Sequence, residues 1–142
     1  MQPVRQEGFY MGFLDRFSGP LLSALRIMSA LLFMAHGTAK LLQFPATEMF
    51  ATAPPVGDLM WIAGVLEAVG GALLVIGLFT RPVAFVLSGM MAVAYFMAHA
   101  SQSFYPIQNG GDAAILFCFV FLYIAAAGGG PIGVDAMLAK KK

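Results

Sequence analysis

Two stretches of this 142-residue chain carry ionisable side chains inside otherwise apolar sequence. In the first, Arg26, Ser29, Phe33, His36 and Lys40 are spaced 3, 4, 3 and 4, which on a helix lays them along one face. In the second, Glu67 stands about nine residues after Asp58, or roughly 13–14 Å along a helix axis. Gly64 and Gly71 flank it on its own face, and Gly70 and Gly77 extend a smooth neighbouring surface on which another helix can approach closely. A carboxylate, an imidazole and an ammonium at that depth offer proton exchange and hydrogen bonding to a polar ligand. They equally suit a buried structural pair. Antiparallel packing of the two helices places His36 nearest in depth to Glu67, with Lys40 outward and Arg26 inward. Pairing of Glu67 with His36 or with a cation is the plain reading; left alone, the carboxylate would be protonated.

Two further stretches add polar groups. Ser88, Ala92, Tyr95, His99 and Gln102 form a polar-and-small stripe at helical spacing. Asn109, Gly110, Gly111 and Asp112 open the last apolar segment, where the charge of Asp112 suits a helix N-terminus; capping alone would account for it. Snorkelling to the two interfaces would likewise account for Arg26 and Lys40, but not for the short imidazole of His36. His36, Lys40, His99, Asn109 and Asp112 all fall on one side with Glu67 beneath them. The expectation is a single polar chamber built by four helices.

The elements that must position these groups follow from composition. The chain is 60% hydrophobic and only 11% charged, against roughly 25% charged in a soluble domain. So small a soluble domain could not hide that much apolar surface. A net charge of +1 gives no basic face for nucleic acid, and disorder requires the opposite composition. One cysteine, Cys118, excludes a disulfide, a CxxC redox pair and a thiolate metal site within the chain. The bilayer is the solvent that remains.

Four apolar segments of membrane-spanning length are expected, at about Leu21–Leu42, Asp58–Phe79, Val83–Ala100 and Ala113–Ile132. Lipid leaves helices as the viable assignment for them. The fold class is therefore all-α, an integral membrane four-helix bundle. Thr80, Arg81 and Pro82 join the second and third segments in a tight hairpin. Residues 1–20 lack a signal peptide's apolar run, and Phe9, Tyr10, Phe13, Leu14 and Phe17 recur at helical spacing with Glu7, Asp15 and Arg16 elsewhere, as in a short interfacial helix. The domain division is 1–20, a four-helix unit over 21–136, and a basic tail over 137–142. Arg5, Arg16, Arg26, Arg81 and Lys140–Lys142 mark one side, while Glu48, Asp58 and Asp112 mark the other, with Lys40 its one cation. The positive-inside rule then makes both termini cytoplasmic.

LRIMSALLFMAHGTAKL (25–41), EAVGGALLVIGLFTRPVA (67–84), His99 and NGGDAAILF (109–117) together resemble the DoxX family of small membrane proteins. The pattern is an Arg early in the first helix, HG-x-x-K at its end, E-x-x-G-G followed by G-x-x-T-R, a His ending the third helix, NG-G-[ED], and G-x-x-x-x-D. Here these are Arg26, His36, Gly37, Lys40, Glu67, Gly70, Gly71, Gly77, Thr80, Arg81, His99, Asn109, Gly110, Asp112 and Asp135. Asp112 stands where many relatives carry Glu. The resemblance covers about residues 21–136. It implies the same four-helix layout, a multi-pass location in the bacterial inner membrane, and a relationship to subunits of a quinone-reducing thiosulfate oxidoreductase.

On that footing the first functional expectation is a quinone-associated redox membrane protein. Glu67, His36 and His99 would exchange protons, and Arg26, Lys40, Tyr95, Asn109 and Asp112 would bind the ligand. Electrons would come from a soluble or membrane oxidoreductase partner, a bound cofactor or direct transfer between two small molecules. The alternatives are a non-catalytic membrane subunit or anchor of an oxidoreductase or stress-response assembly, and a transporter of a small polar solute or proton, which four spans would build as a homo-oligomer. Haem is disfavoured because His36 and His99 lie near one end beside charged groups, and a metal site only slightly less so.

Overall fold

The computed structural model describes residues 12–141. Six α-helices fill it: α1 (Ser18–Leu42), α2 (Leu59–Ile76), α3 (Thr80–Ala98), α4 (Pro106–Asn109), α5 (Asp112–Ala127) and α6 (Val134–Ala139). Short 3-10 helices occupy Gly12–Phe17, running into α1, and Glu48–Phe50 in the connection to α2. No strand occurs among the described residues.

Helix limits differ from the expected ones for identifiable reasons. The Asp58 side chain accepts the Leu59 N–H at 2.8 Å and starts α2 one residue late. Gly77, at φ 72°, stops that helix in the left-handed region that glycine enters without penalty. The expected joint at Thr80, Arg81 and Pro82 is instead the first turn of α3, where proline's missing N–H has no intrahelical partner to lose. The hairpin turn is Gly77–Phe79. The last segment ends at Ala127 rather than Ile132, because Gly128 and Gly130 take positive φ values of 91° and 77° and turn the chain back into the bundle. Of the expected interfacial helix, Phe9, Tyr10 and Glu7 lie outside the described residues. Phe13, Leu14 and Phe17 are exposed on a 3-10 helix rather than an α-helix.

Three helices, counting the 3-10 turn with α1, are long and apolar enough to cross a membrane; α5 is apolar but has 16 residues. α1 packs extensively along α2 and α3 along α5, α2 meets α3 through the hairpin, and α1 meets α5 more sparsely. The shared core comprises Ala30, Phe33, Leu74, Ala84, Leu87, Met91, Ala114, Phe121 and Ile124. Phe33 sits edge-on to Phe117 and Phe121, with centroids at 5.1 and 4.9 Å. Outward faces are apolar as well: Leu25, Met28 and Leu32 on α1, Phe85, Val93 and Phe96 on α3, and Leu116 and Phe119 on α5 are exposed. So much exposed apolar surface on all sides is what a lipid-facing chain presents.

Candidate functional site

Glycine sets the separation of α1 and α2. A Cβ on Gly37 would stand 2.4 Å from the Ala68 nitrogen and 2.7 Å from the Gly64 carbonyl oxygen, and one on Gly71 would meet Met34 Cβ at 2.7 Å. The two backbones therefore touch, as small residues permit in membrane helices. One turn beyond Gly37, Lys40 Nζ donates to both carboxylate oxygens of Glu67, at 2.6 and 2.8 Å. Lys40 is 8% exposed and Glu67 5%. Each charge neutralises the other where neither could be left bare. The Phe50 ring, carried by the loop after α1, lies 5.5 Å from the same ammonium.

Lys40, not His36, is thus the partner of Glu67. Helical side chains lean toward the N-terminus, so a long lysine stem reaches back down α1 to the depth of Glu67. His36 is exposed on the outer surface of α1, its ring 6.2 Å from Phe117.

A second polar group forms between α3 and the α4 turn. Asn109, 4% exposed, donates through Nδ2 to the Ser103 carbonyl at 2.9 Å and to Tyr95 Oη at 3.3 Å. Its Oδ1 accepts the Gly111 N–H at 2.8 Å. The Asn109 carbonyl lies 2.8 Å from His99 Nδ1; since a carbonyl only accepts, Nδ1 carries a proton, and in the neutral ring Nε2 would be the acceptor. Tyr95 stacks on His99 at 6.3 Å. Gly111 is required here, because a Cβ would be 2.5 Å from the Tyr95 ring.

The expected single chamber is thus two polar groups on different helix pairs, Lys40–Glu67 and Tyr95–His99–Asn109. His36 and Asp112, expected in the chamber, stand apart from both, as does Arg26, expected only to bind the ligand. Asp112 is exposed at the start of α5, and the N-cap position belongs to Gly111, with no side-chain cap bond. Arg26 is about 21 Å below Lys40 along α1. It is 1% exposed, so it does not snorkel either; its Nη2 donates to the Ile132 carbonyl at 2.6 Å.

Arg26 belongs to a network that chemical reasoning from the sequence passed over. Gly77, Gly129 and Gly133 leave room for its guanidinium, and Ser23 Oγ both donates to the Gly129 carbonyl and accepts the Ile132 N–H. Asp135 accepts the N–H groups of Phe79 and Thr80 at 3.0 and 2.8 Å, capping α3 from 55 residues away. Arg81 donates to the carbonyls of Ala125, Ala126 and Ala127 at the end of α5. Burial raises the Asp135 pKa, but the N–H and hydroxyl of Thr80, the N–H of Phe79 and the charge of Arg26 outweigh it, and the carboxyl lies below its ordinary value. The G-x-x-T-R and G-x-x-x-x-D residues were the available signal. Together they clip the returning chain onto the α2–α3 hairpin.

The DoxX family model matches residues 21–100, which takes in Arg26, the Lys40–Glu67 pair and the hairpin. A Haemophilus influenzae protein, described as uncharacterized, is 44% identical over 135 residues, spanning 92% of this chain and 100% of its own length. No solved structure matches the chain.

Proposed function

The chain belongs to the DoxX family, and from that premise we propose that it is the membrane component of a quinone-linked redox assembly, with Lys40–Glu67 as its ligand-facing proton site. The carrying observation is the buried bidentate pair between two apolar helices. An ammonium has three N–H groups and Glu67 takes two, which leaves one donor for a ligand carbonyl. Gly37 and Gly71 pack α1 on α2 too tightly for a ring between them, and the Phe50 ring covers the ammonium on the loop side, so the ligand approaches from the side of His36. A quinone, when bound, would supply two-electron chemistry coupled to protons. Lys40 would hold the carbonyl oxygen, and Glu67, ionised in the pair, would take up a proton and pass it on to the reduced headgroup, which returns the pair to neutrality. Electrons come from an oxidoreductase partner. His99 and Tyr95 complete the outer polar layer, with His99 Nε2 as its open acceptor.

The same reading makes α5 the fourth span. At about 24 Å it is short for a hydrocarbon core near 30 Å, and its packing along α3 supports the assignment. Both termini are placed in the cytoplasm of a bacterial inner membrane, on the ground that Arg81, Lys140 and Lys141 gather at the α5–α6 end while Glu48, Asp58 and Asp112 lie at the other. Purification in mild detergent, followed by mass spectrometry of the extracted lipids, tests the reading. A co-purifying quinone supports it; no quinone, together with no binding on reconstitution, overturns it.

One observation favours a second reading, a non-catalytic membrane subunit. The side-chain donors and acceptor of Asn109 are all engaged by the fold, so that layer serves helix register without any ligand.

A further inference from the structure

His36 ends the lipid-facing stripe of α1. Leu21, Leu25, Met28 and Leu32 are exposed along that face, and His36, four residues beyond Leu32, is exposed with them. On a membrane-crossing helix such a stripe is solvated by acyl chains. The imidazole lies about 9 Å short of the helix end at Leu42, so it sits where polar side chains are costly and call for a function. Its ring faces the edge of Phe117, which with Phe33 and Phe121 forms the aromatic wall between α1 and α5. Fewer backbone approaches occur along that seam than between α1 and α2 or between α3 and α5, so side chains fill it. On the buried side of α1, one turn further, Lys40 holds Glu67. From the loop side the pair is instead screened by the Phe50 ring.

Acyl-facing surface, aromatic seam, hydrogen-bonding imidazole and buried ion pair thus follow one another inward from the lipid. We propose that an amphiphile dissolved in the membrane, with a ring headgroup bearing hydrogen-bond acceptors, reaches Lys40–Glu67 sideways through the α1–α5 seam, and that His36 receives the headgroup there. The inference rests on the quinone reading of the pair and adds the route and the need for a tail. A neutral imidazole supplies the N–H that such a headgroup accepts, and the phenylalanine faces supply stacking.

The test uses the full chain in lipid nanodiscs and follows quenching of Trp61, the one tryptophan, by a decyl-tailed benzoquinone and by the same headgroup without a tail. The tailed form should bind the more tightly. His36→Leu continues the apolar stripe and preserves folding, and it should raise the half-saturating concentration about tenfold, the loss of one hydrogen bond. His36→Gln, which keeps a donor, should restore most of it. Wild-type quenching by His36→Leu, or equal binding of the tailless form, overturns the lateral route. If Lys40 and Glu67 variants still abolish that binding, the quinone reading survives without it; if neither quinone binds the wild type, both fall.

Discussion

Lys40 and Glu67, 27 residues apart, meet across the closest backbone contact in the molecule's α1–α2 pair, and the ammonium engages both oxygens of the carboxylate. The geometry depends on the glycines as much as on the charges. Widening the helix contact would lengthen both hydrogen bonds at once.

Gly37→Ala is therefore expected to be costly. Its Cβ meets backbone atoms of Ala68 and Gly64, which cannot rotate away, and overpacking of this kind destabilises by about 1–3 kcal/mol. Gly89→Ala is the matched control, since nothing lies within 4 Å of its Cβ; it should be neutral or stabilise by up to about 1 kcal/mol. Thermal unfolding in one detergent compares them. Equal melting temperatures would contradict the close-contact account.

Asp135 gives a pH dependence with a definite sign. Its pKa is held below the ordinary 3.8 in the folded chain, so its contribution is complete at neutral pH and fades as pH falls from about 4 through the folded value. Asp135→Asn should cost about 1 kcal/mol near pH 7, as lost helix caps do, and should flatten the acid limb of a stability profile. An unchanged acid limb would show that the carboxylate does not cap α3.

Thr80 offers the opposite case. Its buried hydroxyl falls outside hydrogen-bond geometry to every described residue, although it faces the Asp135 carboxylate closely enough to help hold that group ionised. Thr80→Val keeps the shape and removes a hydroxyl whose one neighbour is poorly aligned, so stability should change by less than about 1 kcal/mol. A loss of more than that, by thermal melting, would mean that the hydroxyl has a partner.

What the sequence made legible was the solvent and the periodicity. Charge scarcity identified the bilayer, and 3.6-residue spacing put Lys40 and Glu67 on facing helix surfaces. Spacing gives depth at the backbone, however, and not the reach of a side chain. His36 was nearest Glu67 by Cα position, yet the lysine stem covers that level. Arg26 shared a helical face with Lys40, but 14 residues separate the two, and each answers to a different end of the bundle. The Asp135 cap was illegible for another reason. It pairs backbone groups with a residue 55 positions away; the G-x-x-x-x-D pattern marks the aspartate but not its partners.

The central claim is that Lys40–Glu67 is a ligand-facing site and not solely a structural pair. Removing one member leaves a buried charge and costs about 3–5 kcal/mol, so a single substitution confounds the two roles. Lys40→Met combined with Glu67→Leu removes both charges at similar volume, and such exchanges are often neutral or stabilising. The decisive measurement is quinone binding by this double variant in nanodiscs, beside its melting temperature. A folded variant that no longer binds quinone is the expected result; a folded variant that binds as the wild type does would contradict the claim.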